Sequence, residues 1–190
     1  MTMNMLSPMQ KQMSVARTKL LFFMTASAIA LVSATPAGAL TITQLSNKDV
    51  GNPPFPATAC VDVQNFATAN GTPVGPFPCN NQFNEQWIYE NGRFIGVGTH
   101  TATTTSTVLT ETCLSVHGNS TASGAGVELD TCVSGNQSQL WDVQGNGATS
   151  QIVNVASGKC LDSLGEIGGG LQLIINTCNG ESAGQHWLLK

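Results

Sequence analysis

Basic charge is scarce in this sequence. Seven lysines and arginines occur in 190 residues, and three of them, Lys11, Arg17 and Lys19, come before residue 20. Nucleic acid and anionic membrane surfaces are recognised through clustered positive charge, so both are poor partners for this chain. Aromatic residues are also few, and beyond Phe94 the remaining ones are Trp141 and Trp187. No CxxC pair occurs, and His100, His117 and His186 stand singly, which leaves no zinc-ligand spacing. No metal and no cofactor is expected. Amphipathic helical patterns of useful length are missing too, whereas short alternating segments and turns rich in Gly and Asn recur, which predicts an all-β chain.

The long apolar run is confined to one place. Lys11, Arg17 and Lys19 precede LLFFMTASAIALV, and Ala37-Gly38-Ala39 follows, the three-part layout of a secretory signal peptide. Residues 1–39 are therefore read as a leader and residues 40–190 as one domain. The strongly apolar part is short for a bilayer, and Ser33, Thr35, Pro36 and Gly38 dilute the rest, so no membrane insertion is expected after cleavage. In residues 40–190 four basic residues, Lys48, Arg93, Lys159 and Lys190, face eleven acidic ones. The domain is long enough to bury a single core.

All six cysteines lie in that domain, and an even count in an exported chain reads first as disulfides, for which fifteen connectivities exist. Taken in order they give Cys60/Cys79, Cys113/Cys132 and Cys160/Cys178, with separations of 19, 19 and 18 residues. ACVDV (59–63), TCLSV (112–116) and KCLDS (159–163) each alternate around the first cysteine in the manner of a strand. Eight or nine residues after each second cysteine comes a tryptophan: Trp87, Trp141 and Trp187 are all the tryptophans in the chain. They close the segments NEQW, SQLW and GQHW; the last two contain Gln-x-Trp, while the first carries Glu85 where glutamine would stand and has Gln86 next to the ring. A unit repeated about every 50 residues cannot bury its own face and leans on its copies. The Asn70, Asn119 and Asn136 sequons fit surface loops of an exported glycoprotein.

Three strands of the Cys-x-Asp type, each followed by Gln-x-Trp or a close variant, resemble the ricin B-type lectin family of β-trefoils, also described as carbohydrate-binding module family 13. The resemblance covers nearly all of residues 40–190 and implies a β-trefoil with three pseudo-symmetric repeats that binds glycans without catalysis. It implies structural roles for Gln86, Trp87, Gln139, Trp141, Gln185 and Trp187, and disulfide staples Cys60–Cys79, Cys113–Cys132 and Cys160–Cys178. In lectins of this kind the sugar contacts come from the aspartate two residues after the first cysteine, an aromatic two residues before the second, and an asparagine just ahead of Gln-x-Trp. Those positions here are Asp62, Phe77 and Asn84, with Glu85 adding a second carboxylate. Phe77 lies in GPFPC, where two flanking prolines stiffen an extended backbone and hold the ring in advance.

The other repeats depart from the pattern. The second has Ser115, Asp130 and Ser138 at the three positions; the third keeps Asp162 but offers Asn176 and Gly184. Asp162 is thus a weak candidate that also suits a turn. Galactose, N-acetylgalactosamine and xylan-type chains are the partners the resemblance suggests. Two other functions compete. A small glycosidase would use Asp62 and Glu85 as its carboxylate pair. A secreted trefoil protease inhibitor would act through one exposed loop, for which the Thr-rich stretch GTHTATTTST is the candidate, a stretch otherwise read as an insertion on a loop or hairpin.

Overall fold

The computed structural model describes residues 42–47, 58–99, 101–102, 109–145 and 150–190. The expected leader over residues 1–39 lies outside the described residues.

The alternating segments around the first cysteines become strands, and each pairs with the strand that carries the second cysteine. In the first repeat β2 (Ala59–Val63) runs antiparallel to β3 (Thr72–Pro78), with Cys60 opposite Phe77 and Asp62 opposite Gly75. β8 (Thr112–Val116) and β9 (Ala125–Thr131) repeat the arrangement, as do β12 (Cys160–Asp162) and β13 (Ile174–Asn176). In each case a 3-10 turn bearing the Gln or Glu before the tryptophan follows the hairpin. The next strand begins at or just before the first two tryptophans, as β4 (Gln86–Glu90) and β10 (Trp141–Gly145), and just after Trp187, as β14 (Leu188–Leu189).

β4 turns back into β5 (Arg93–Gly96) through Asn91-Gly92, both at positive φ (50° and 77°). That dipeptide suits a two-residue hairpin loop whose twist matches the strands it joins. β10 pairs in the same way with β11 (Ser150–Asn154). Among the described residues no strand follows β14. Instead β1 (Ile42–Asn47), from the start of the domain, pairs with β14 as well as with β2 and β4, so the two ends of the domain meet in one ladder. Gln44 and Lys190 exchange backbone hydrogen bonds of 2.9 and 3.1 Å there. Pairing of β8 with both β5 and β9 closes the ladder on itself. The result is a β-trefoil.

The core is built from matched parts. Trp87, Trp141 and Trp187 are fully buried or nearly so, and each indole N–H donates to the carbonyl of the residue after the first cysteine of its repeat: Val61, Leu114 and Leu161, at 2.9–3.0 Å. A buried indole must satisfy its one donor, and here the barrel strand supplies the acceptor three times over. Around the rings lie Leu45, Val63, Val74, Phe94, Val116, Val127, Leu129, Ile152, Leu173 and Ile175. The three disulfides connect the cysteines in sequence order, with Cα separations of 5.0, 5.1 and 5.0 Å. Each closes a loop of about 20 residues, a constraint on the unfolded chain of about 3 kcal/mol in the entropic description.

Part of the Thr-rich insertion forms a separate two-stranded hairpin, β6 (Thr101–Ala102) with β7 (Leu109–Thr110). Its base is pinned by buried Thr99 and Thr112: their hydroxyls contact one another, Thr99 Oγ1 donates to Gly96 O and Thr112 Oγ1 to Thr99 O. Residues 103–108, the centre of the candidate inhibitor loop, lie outside the described residues. Among the described residues no helix is long and apolar enough to cross a membrane.

Candidate functional site

A cavity of about 300 Å³ opens over the first hairpin, lined by Asp62, Gln64, Asn65, Phe66, Phe77, Asn80, Asn84, Gly169 and Gly170. Asp62 comes from β2 and Phe77 from β3, and Asn84 from the turn before Trp87, so the fold brings these three sequence-selected residues together. Asn84 Nδ2 donates to Asp62 Oδ2 at 2.7 Å and to Val63 O at 3.0 Å, which fixes the amide, and its Oδ1 is buried without a hydrogen-bond partner. Phe77 is 38% exposed, so its ring is offered to the cavity rather than to the core. One wall comes from the third repeat. Gly168 N donates to Pro76 O and Leu173 N to Val74 O, which seats the segment containing Gly169 and Gly170 along β3.

Glu85 takes a different place from the one expected of a sugar ligand. It is fully buried, accepts from Asn80 N and Asn81 N at 3.0–3.1 Å and from Gln44 Nε2 at 3.1 Å, and does not line the cavity. Its counterparts are Gln139, which accepts from Val133 N and donates to Thr131 O, and Gln185, which accepts from Asn179 N and donates to Thr177 O. The bracing role in the first repeat therefore belongs to Glu85 and not to Gln86, which is half-buried and whose side chain makes a long 3.5 Å bond to Asn81 O. The reason is geometric: the residue two before the tryptophan sits on the 3-10 turn and points under it, while the adjacent residue starts the strand.

Glutamate reproduces the acceptor half of the brace but cannot donate when ionised. In the third repeat Gln185 Nε2 also donates to Asp162 Oδ2 at 2.9 Å. In the first repeat that donor is replaced by a second carboxylate. Burial, then the charge of Glu85, push the Asp62 carboxyl up to about 7, with the hydrogen bond from Asn84 opposing the rise.

Asp162 is fully occupied by the fold. Leu164 N donates to its Oδ1 at 2.7 Å, and Asn176 Nδ2 lies 3.4 Å from the Oδ2 already taken by Gln185. Gly184 stands where Asn84 stands, and any Cβ there would come within 2.5 Å of Asp162 Oδ1. In the second repeat the corresponding surface is filled by its own polar side chains. Ser138 Oγ donates to Asn119 Oδ1 and Asn136 Oδ1, and His117 Nδ1 lies 2.7 Å from Glu128 Oε2. Asn70, the remaining sequon residue, exchanges hydrogen bonds with Thr131 and does not line the cavity.

Sequence reasoning did not select Gln64, Asn65, Phe66, Asn80, Gly169 or Gly170. Phe66 and Asn80 follow closely on the strand and on Cys79, a proximity that marks them in hindsight. Gly169 and Gly170 lie about a hundred residues away, and only the run GGG signalled them. Among the described residues no group of three His, Cys, Asp or Glu side chains is placed to hold a metal ion.

A family model described as "Ricin-type beta-trefoil lectin domain" matches residues 55–187. No curated protein sequence matches the chain. Among solved structures, the chain is similar to a designed threefold-symmetric protein, ThreeFoil, with a TM-score of 0.62 and 22% identity, covering 78% of this chain and 96% of that one. A non-toxic homologue of type II RIPs from Momordica charantia (bitter gourd), in complex with α-methyl-D-galactoside, gives 0.58 and 23%, covering 78% and 47%; this chain thus spans about half its length. The C-half of the earthworm R-type lectin, in complex with GalNAc, gives 0.56 and 13%, covering 78% and 97%.

Proposed function

The chain belongs to the ricin-type β-trefoil lectin domain family, and on that premise we propose that it is a secreted, non-catalytic glycan-binding module whose competent site is the cavity of the first repeat. The observation that carries the reading is the convergence of Asp62, Phe77 and Asn84 in one open cavity. A pyranose presents a C–H face and a rim of hydroxyls. An exposed ring suits the first; for the second, the Asp62 carboxylate and the unpartnered Asn84 Oδ1 are acceptors, the two Nδ2 hydrogens of Asn84 being spent on Asp62 and Val63 O. The galactoside and GalNAc bound by the bitter gourd and earthworm proteins make these sugars, with xylan-type chains, the first to test. Three disulfides support an oxidising compartment and hence export.

Glycoside hydrolysis needs two carboxylates flanking the scissile bond. Glu85 is braced under the turn by Asn80 and Asn81, so Asp62 faces the cavity without that partner. This supports binding over catalysis. No specific observation favours a protease inhibitor.

A glycan array probed with the intact protein tests the reading, followed by titration of the best binder against variants. Losing a hydrogen-bonded partner in such a site costs about 1–3 kcal/mol, roughly five- to two-hundredfold in affinity. Asp62→Ala is expected to lose binding by that factor and Phe77→Ala about three- to tenfold through lost stacking, while Asp162→Ala leaves it within about twofold, provided circular dichroism shows all three folded. A protein silent on the array, or a Phe77→Ala variant that binds like wild type, overturns the assignment.

A further inference from the structure

Phe66 is a second aromatic at the same cavity, and nothing in the fold requires it. It is 56% exposed, more than Phe77, and enters from the turn at Gln64–Phe66 between β2 and β3 instead of from a strand. Its backbone is at φ 55°, next to Asn65 at φ 57°. The other repeats make the same left-handed pair, with Gly118 and Asn119 (59° and 55°) and with Leu164 and Gly165 (56° and 73°). At the second member of the pair they use Asn119 and Gly165, the residue types that tolerate this conformation. The first repeat places a phenylalanine there, against the conformational preference of bulky side chains, and leaves its ring in water. Leu164 carries a similar strain in the third repeat; what sets Phe66 apart is an exposed aromatic ring that lines the cavity, and that points to use.

The rim contributed by the third repeat is bare. Gly169 and Gly170 line the cavity without side chains, and a Cβ built at Gly169 would sit 3.8 Å from Phe77 Cε2. The cavity therefore has two exposed rings and a low wall. One ring is enough to cover the face of one pyranose, which leaves the second available to a further unit.

We propose that Phe66 is a second stacking platform and that the site takes an oligosaccharide of at least two pyranose units, one on Phe77 and the next on Phe66. The inference rests on the glycan-binding reading of this site and specifies its ligand class. It makes Phe66 the residue that selects chain length, whereas Asp62, Asn84 and Phe77 hold one unit.

The test is calorimetric titration of the full chain with two matched pairs, methyl β-galactoside against lactose and xylose against xylotriose, for wild type, Phe66→Asn and Phe77→Ala. Asparagine is the residue the second repeat carries at this position, so Phe66→Asn keeps the backbone and removes the ring; because it creates a sequon with Ala67 and Thr68, every protein in the comparison is made in a host that does not glycosylate. It is expected to weaken the longer member of the preferred pair about three- to tenfold, as loss of one aromatic contact should, while leaving the single sugar within about twofold. It should also raise the melting temperature by about 2–4 °C through relief of strain. Phe77→Ala is expected to weaken both members. If Phe66→Asn keeps the wild-type ratio of long to short affinity, or if wild type binds both members of each pair equally, Phe66 is not a platform and the proposal fails while the single-sugar site stands. If Phe77→Ala changes neither, or wild type binds none of the four, the underlying site assignment fails and takes this inference with it.

Discussion

At Asp62 burial and the glutamate of the turn before Trp87 together set the chemistry. Glu85 stands where Gln139 and Gln185 stand, and the carboxylate it brings removes a donor from the neighbourhood of Asp62 and adds a negative charge. Burial is the larger cause and the charge of Glu85 the second, and together they push the Asp62 carboxyl from 3.8 up to about 7. An acid held above its unfolded value binds its proton more tightly when folded. Asp62 therefore contributes stability that is complete below pH 3.8 and is lost as pH rises towards about 7. Binding follows the opposite course, because the ionised carboxylate is the better acceptor for sugar hydroxyls. Affinity is expected to increase between about pH 5 and about pH 8 and to level off above the Asp62 transition. The titratable group facing Asp62 is Glu85, so Glu85→Gln is expected to move the midpoint of the affinity profile to lower pH. Titration across this range with both proteins checks it, and an unshifted midpoint in Glu85→Gln would remove Glu85 as the cause.

Among the elements, β3 decides how the first repeat meets the third. Gly75 faces Leu171 O, and a Cβ there would lie 2.2 Å from that backbone oxygen and 3.1 Å from Gln64 Nε2, which itself donates to Leu171 O at 2.6 Å. The second repeat has Glu128 at the corresponding position, where its side chain turns towards His117. Gly75→Ala must push the third-repeat segment off the strand, and with it the wall formed by Gly169 and Gly170. Overpacking of this kind costs about 1–3 kcal/mol. The expected result is a lower melting temperature together with weaker glycan binding, measured by thermal unfolding and titration. A Gly75→Ala variant as stable as wild type would show that the segment is not held by this contact. Elements are also where sequence reading reached its limit. NEQW offered two residues for the glutamine role, and only the turn geometry of Phe83–Glu85 assigns it to Glu85. Phe66 carries a weaker signal: it lies six residues after Cys60, as Asn119 does after Cys113, but the other repeats have no aromatic there, in contrast to Phe77, which stands at the stacking position two residues before Cys79.

For the molecule as a whole, three similar repeats carry unequal sites. Asp162 is consumed by Leu164, Gln185 and Asn176, and the second repeat has Ser115 where the others have aspartate. The domain is therefore expected to be monovalent. Crosslinking requires two sites on one particle and draws its strength from linked binding. A verified monomer should bind immobilised glycan, take up one ligand per chain in calorimetric titration and fail to agglutinate cells. A stoichiometry of two or three equivalent ligands would contradict the unequal-repeat reading.

The repeat is written in the order of residues. Cysteine separations of 19, 19 and 18, a tryptophan after each pair and the alternation around each first cysteine are local patterns. Local patterns report strands, staples and core rings because those depend on residues close along the chain. Asp62 and Phe77 were legible for the same reason, each lying two residues from a cysteine. Which copy stays open is settled by folding. The state of Asp62 depends on Glu85, the occupation of Asp162 on Gln185 and Gly184, and the cavity wall on Gly169 and Gly170, all partners brought near in three dimensions. Burial and hydrogen bonding act through space, so similar motifs in three repeats acquire different chemistry once the barrel closes and the third repeat lies along the first.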